Sequence, residues 1–177
     1  LYTFGPERTL LIKASTETHV RWFANRDPHE ELPVDSWVQE WNPRDEYCGA
    51  QIRADAYGYA CPGDPQLAAK LAWKDAGLTH NRTGLYAAMF TSAAIAGAFV
   101  VDAPLDAFRV ALNYVPERSR FAESVRECIR IVEVADDWLS ANRSIYEQFG
   151  AWGHCRIIQE TGTMINSLQF AESVGHG

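Results

Sequence analysis

Apolar and polar positions divide the chain into two textures. Residues 1–64 are interrupted by turn signals at Gly5-Pro6, Asp27-Pro28, Asn42-Pro43 and Cys61-Pro62-Gly63-Asp64-Pro65, and read as loop-rich. From Pro65 onward, apolar side chains recur at helical spacing almost without a break. Asp64 before Pro65 marks a helix start, because the carboxylate accepts an orphan N–H and the proline ring presets φ. Leu67, Leu71 and the alanines beside them carry the stripe to about Leu78, with His80 and Asn81 at the C-terminal end. A second helix is expected from about Thr83 to Val101. Its small residues, Ala87, Ala88, Ala93, Ala94, Ala96, Gly97 and Ala98, occupy every face, so it should lie at the centre and pack closely against several neighbours.

Three patterns follow: Pro104 to about Tyr114, Arg118 to about Val134 (Phe121, Val125, Cys128, Ile129 and Val132 at helical spacing), and a helix capped by Asp136 or Asp137 that carries Trp138, Leu139 and Ile145. After a loop at 150–154, a last helix spans roughly Glu160 to Val174. Cys155 to Ile158 has an extended look but no partner with turn chemistry. The expected fold class is all-α. With no repeat, low-complexity segment or linker, residues 1–177 read as one domain.

Composition changes this picture little. Charged residues are 22% and the formal net charge is -7, which disfavours nucleic acid as a partner. A local anion site remains open, because backbone N–H groups or one guanidinium suffice. No apolar run reaches the roughly 18 residues that span a bilayer, and the longest, Ala87 to Val101, reads as a buried helix, so no membrane partner is expected. Four cysteines, at 48, 61, 128 and 155, form no C-x-x-C pair. They read as reduced thiols, and the protein as cytoplasmic. The chain starts at Leu1 and ends at Gly175-His176-Gly177 directly after a helical pattern; both ends fit cut edges of an incomplete domain.

Three groups of residues carry candidate chemistry. In Tyr47-Cys-Gly-Ala-Gln-Ile-Arg53, Gly49 and Ala50 let backbone N–H groups approach a ligand, and Arg53 suits a phosphate fork. A buried structural loop with an Arg53–Asp55 or Arg53–Asp64 ion pair explains the same residues. His80, after Asp75 and Thr79, either caps a helix end, where the dipole favours a cation, or donates to a ligand hydroxyl. Asp75 either orients it or pairs with Lys74 or Arg82. Gly84 and Tyr86 open the small-residue helix, whose N-terminus can receive a ligand; packing alone also accounts for them. The third group is Trp152 to Arg156 with His154, then Gln159-Glu160-Thr161-Gly162-Thr163, then Asn166. It suits a sugar-binding rim, with Glu160 for acid or base work, or a helix start satisfying its own N–H groups. Asp136 and Asp137, adjacent in sequence, point in different directions and do not make a glycosidase pair. No metal-ligand spacing is recognisable.

The block Cys48-Gly-Ala-Gln-Ile-Arg-Ala-Asp-Ala-Tyr-Gly-Tyr-Ala-Cys-Pro-Gly-Asp-Pro65, with Ala68-Ala-Lys-Leu-Ala-Trp-Lys-Asp-Ala-Gly-Leu-Thr-His80 and Gly84-Leu-Tyr-Ala-Ala-Met-Phe90, resembles the centre of the ADP-ribosylglycohydrolase family. Phe4-Gly-Pro-Glu-Arg8, Asn42-Pro-Arg44 and Tyr146 to Asn166 resemble it as well. The resemblance implies a compact multi-helix orthogonal bundle and a magnesium-assisted cleft. It implies hydrolysis of the glycosidic bond between ADP-ribose and a side chain or related acceptor. It places Gly49, Gln51, Arg53, Thr79, His80 and Asn166 on the ADP-ribose side; Tyr86, His154 and Glu160, read from the residues themselves, are further ligand-binding candidates. The family's metal ligands come from an early Thr-Asp-Asp and a late Asp-x-Asp-Ser/Thr motif. Neither occurs in these 177 residues, so magnesium is expected only of the complete domain. Two other readings keep the same fold: a non-catalytic module that binds ADP-ribose or a nucleotide, and a structural, crystallin-like protein.

Overall fold

A computed structural model describes residues 44–152 and 155–171, together with Val38 and Asn42. Among them lie seven α-helices: α1 (Asp55–Ala60), α2 (Pro65–Ala76), α3 (Arg82–Ala98), α4 (Pro104–Ala111), α5 (Arg120–Val134), α6 (Trp138–Phe149) and α7 (Ile157–Gln169). Short 3-10 turns at Gln51–Arg53, Leu112–Tyr114 and Gly150–Trp152 join them. No strand occurs among the described residues. One isolated antiparallel bridge links Tyr47 to Arg156. The fold is an all-α bundle.

Local chemistry sets most boundaries. The Asp64 carboxylate accepts from the Leu67 N–H at 2.9 Å, with Pro65 at the first helical position, as the sequence predicts. Ser119 caps α5 through the Ala122 N–H at 3.1 Å. Asp137, rather than Asp136, caps α6 in a reciprocal box with Ser140. Pro116 forces Val115 into extended backbone, so the α4 pattern tightens into a 3-10 turn at 112–114 instead of continuing as α-helix.

Three expectations are corrected. The described part of the loop-rich segment holds the Gln51–Arg53 turn and α1. The central helix closes at Ala98, not Val101, because Ala103 must be extended ahead of Pro104. The last helix begins at Ile157, so Ile157 and Ile158 are helical and buried rather than extended. Its expected end at Val174 lies outside the described residues.

Helix α3 is the axis of the bundle. Ten of its residues are buried, most of them small, and it packs on α1, α2 and α4 and touches α5 and α7. The two sides of α3 differ. On the α4–α7 side a large core gathers Phe90, Phe121, Ile145, Ile157 and Ile165. Phe90 stacks on Phe108 at 5.8 Å and meets Phe121 edge-on at 5.5 Å. Each such ring stabilises the fold by about 1.5–3 kcal/mol through area removed from water. On the α1–α2 side the core is nearly all alanine: Ala50, Ala54, Ala72, Ala76 and Ala88, with Ala68 and Ala96 beyond. Here backbones come close. A methyl at Gly58 would stand 2.5 Å from Ile95 Cβ.

Candidate functional site

The site is built where the 44–54 segment meets the C-terminal end of α2 and the start of α3. Ala50 and Ala54 are 1% exposed and pin the Gln51–Arg53 turn into the alanine core. The turn then sends its side chains three ways. Ile52 faces solvent. Gln51 points inward, and its two amide N–H bonds go to Thr91 Oγ1 on α3 at 3.2 Å and Thr161 Oγ1 on α7 at 3.0 Å. This buried amide ties both helices to the turn.

Arg53 reaches the end of α2. Its Nε donates to Asp75 Oδ2 at 2.8 Å, Nη2 to Thr79 Oγ1 at 2.8 Å, and Nη1 to the Gly49 carbonyl at 3.3 Å. The expected partners Asp55 and Asp64 are therefore replaced by Asp75, which packing brings near although sequence does not. The same contact answers the question left open for Asp75: it pairs with Arg53, not with Lys74 or Arg82.

His80 lies behind this pair, 7% exposed, with Nδ1 at 2.8 Å from Thr79 Oγ1. Burial, helped by the Arg53 guanidinium and opposed by Asp75, pulls its pKa down to about 4. At neutral pH the imidazole is uncharged, so it is no cationic cap on the helix dipole. Gly49 is needed for the ring's position, since a Cβ there would lie 3.1 Å from His80 Nε2. Asn42 closes the network by donating to the Thr79 carbonyl at 2.5 Å.

The N-terminus of α3 is not open to a ligand. The Asn81 N–H donates to the Asp45 carbonyl at 3.0 Å, and a Cβ on Gly84 would stand 2.4 Å from that oxygen. The 45–46 backbone covers this end, and Tyr86 packs against the large core. Burial and the neighbouring Glu46 raise the Asp45 pKa, with Arg82 partly opposing.

The structure thus gathers Gly49, Arg53, Thr79 and His80 into one hydrogen-bonded unit, with Gln51 anchoring it from behind. It sends other candidates elsewhere. Asn166 is fully buried and donates to the Trp138 carbonyl at 3.0 Å, fastening α7 to α6. Glu160 lies with Cys48 and Cys155, ligand atoms within 4.8 Å of one another. Burial first, then the Glu160 carboxylate, pushes the Cys48 thiol up to about 12. His154 falls outside the described residues. Sequence reasoning passed over Thr91; its only signal was a hydroxyl in an alanine-rich helix.

Two arginines flank the segment. Arg156 lies 4.5 Å and Arg44 5.7 Å from the centre of the Tyr47 ring. Arg53 follows in the same segment, on a chain of net charge -7. A separate cavity of about 660 Å³ is bordered by Asp55, Tyr59, Thr91, Phe99, Asp102 and Met164. It shares Thr91 with the Gln51 anchor.

The family model for ADP-ribosylglycohydrolase matches residues 7–173, most of the chain, and the protein belongs to that family. No curated protein and no solved structure matches it significantly.

Proposed function

Taking that membership as the premise, we propose that the protein is a hydrolase of ADP-ribosyl glycosidic bonds whose ADP-ribose-facing wall is the unit Gly49, Gln51, Arg53, Thr79 and His80. One observation carries the reading. Four motif residues, scattered between positions 49 and 80, converge on a single hydrogen-bonded network around a buried, neutral imidazole. Arg44, Arg53 and Arg156 supply positive charge for a diphosphate on an otherwise acidic chain. Asp75 holds the Arg53 fork flat, which lowers the ordering needed when an anion binds. The neutral His80 ring serves a ribose hydroxyl as donor or acceptor without a competing charge.

The magnesium implied for the family requires six hard oxygen ligands in near-octahedral order. Among the described residues, the one His/Cys/Asp/Glu group close enough to hold a metal joins two thiols to one carboxylate. That donor set does not fit magnesium. A second reading keeps the same wall, an ADP-ribose-binding module without hydrolysis.

Calorimetry with ADP-ribose, with and without magnesium, and release of ADP-ribose from an ADP-ribosylated protein test both. The hydrolase reading expects binding and release, each reduced at least about tenfold in Arg53→Ala and His80→Ala, the loss of one or two hydrogen bonds to a charged ligand. Metal-independent binding with no release favours the module. No binding in either condition overturns both.

A further inference from the structure

Beside the wall, the bridge between Tyr47 and Arg156 brings two cysteines face to face. The Cys48 N–H donates to the Cys155 carbonyl at 3.3 Å. Glu160, in the first turn of α7, adds a carboxylate. The two Sγ atoms and one carboxylate oxygen lie within 4.8 Å of one another. We propose that Cys48, Cys155 and Glu160 form a binding site for a thiophilic divalent cation, zinc foremost, that fastens the 47–53 segment to the start of α7.

The donor set selects the metal. Thiolates favour zinc over magnesium or calcium, and two thiolates with a carboxylate supply three of the four positions of a tetrahedral zinc. Zn–S bonds of about 2.3 Å place the sulfurs of such a site roughly 3.8 Å apart. The spacing here needs a contraction of about 1 Å at most. Cys155 is exposed and can make that movement, and its exposure leaves the fourth position to water.

Backbone and charge agree with this. Cys155 is held at φ 58, a left-handed conformation uncommon for a residue with a Cβ. The Glu160 carboxylate is in hydrogen-bond contact with the Cys48 thiol, so a cation between them meets two donors already side by side. On binding, each thiol breaks its S–H bond, releases the proton to solvent and forms an S–metal bond; no electron is transferred. The other two cysteines belong to no such group. Cys61 and Cys128 are buried in separate clusters. The site also adjoins the anchor of the wall, because Cys48 precedes Gly49 and Glu160 precedes Thr161, the Gln51 acceptor.

The test uses the full chain, stripped with a chelator and kept reduced with a phosphine. Zn²⁺ titrated by calorimetry is expected to bind one to one and to raise the melting temperature. Co²⁺ is expected to give a thiolate-to-cobalt charge-transfer band. Cys48→Ser and Cys155→Ser each lose that band; Cys155 is exposed, so its variant keeps a native circular dichroism spectrum. Glu160→Gln keeps the band with roughly tenfold weaker affinity, and Cys61→Ser behaves as the parent. Absence of Zn²⁺ binding to the reduced chain, or a cobalt band that survives both Cys48→Ser and Cys155→Ser, overturns the proposal.

Discussion

The two sides of α3 are held by different physics. Toward α4–α7, large apolar side chains fill volume, with Phe90, Phe108 and Phe121 in mutual ring contact. Toward α1–α2, alanines bring backbones together, and specificity lies in a few bonds: Gln51 to Thr91 on α3, with a second bond reaching across to Thr161 on α7, and Arg53 to Asp75 and Thr79. The first arrangement tolerates swaps that conserve volume. The second tolerates almost none, because its distances are set by absent methyl groups. A fold that must present polar groups at fixed positions gains from this split, since the bulky side supplies the stability that a polar wall does not.

Breaking each side should therefore look different. Phe121→Ala has the largest expected effect, about 3–5 kcal/mol from lost burial and a residual cavity, read by urea unfolding. A loss under about 1 kcal/mol would mean that this side is not the source of stability.

Acid comes next. The unfolded chain protonates His80 near 6.5, whereas the folded chain resists until about 4. Its contribution is fully present above pH 6.5 and is lost as pH falls toward 4, about 3 kcal/mol in all. Unfolding midpoints between pH 7 and 4 check this against His80→Gln, whose curve should be flatter in that window.

Gly84→Ala is expected to cost about 1–3 kcal/mol, since its new methyl must push the Asp45 carbonyl away, and to weaken ADP-ribose binding as the segment shifts. Arg53→Ala should move stability least, by about 1 kcal/mol or less, because its partner lies at a solvated surface, with side chains 38% and 31% exposed. Its effect belongs in ligand affinity. A large stability loss with unchanged affinity would recast Arg53 as a purely structural clasp.

Local signals were legible in the sequence and long-range pairings were not. The Asp64-Pro65 start, a cap at Asp136 or Asp137 and the central place of the small-residue helix follow from capping chemistry and side-chain size, which neighbouring residues determine. The partner of Arg53 lies 22 positions away and that of Gln51 110, distances that spacing along the chain does not encode. Helix α1 escaped notice because six residues give under two turns of periodicity. Asn166 read as a polar rim residue, yet it is fully buried against Trp138; polarity alone does not separate a ligand contact from an internal tether.

The most direct test of the wall follows the imidazole of His80 by NMR in a histidine-labelled chain, assigned through His80→Gln, during pH titration with and without ADP-ribose. The account predicts a resonance that titrates near 4 in the free protein and shifts on adding ADP-ribose, with the shift abolished in Arg53→Ala. A ring that titrates near 6.5 and ignores ADP-ribose would contradict it.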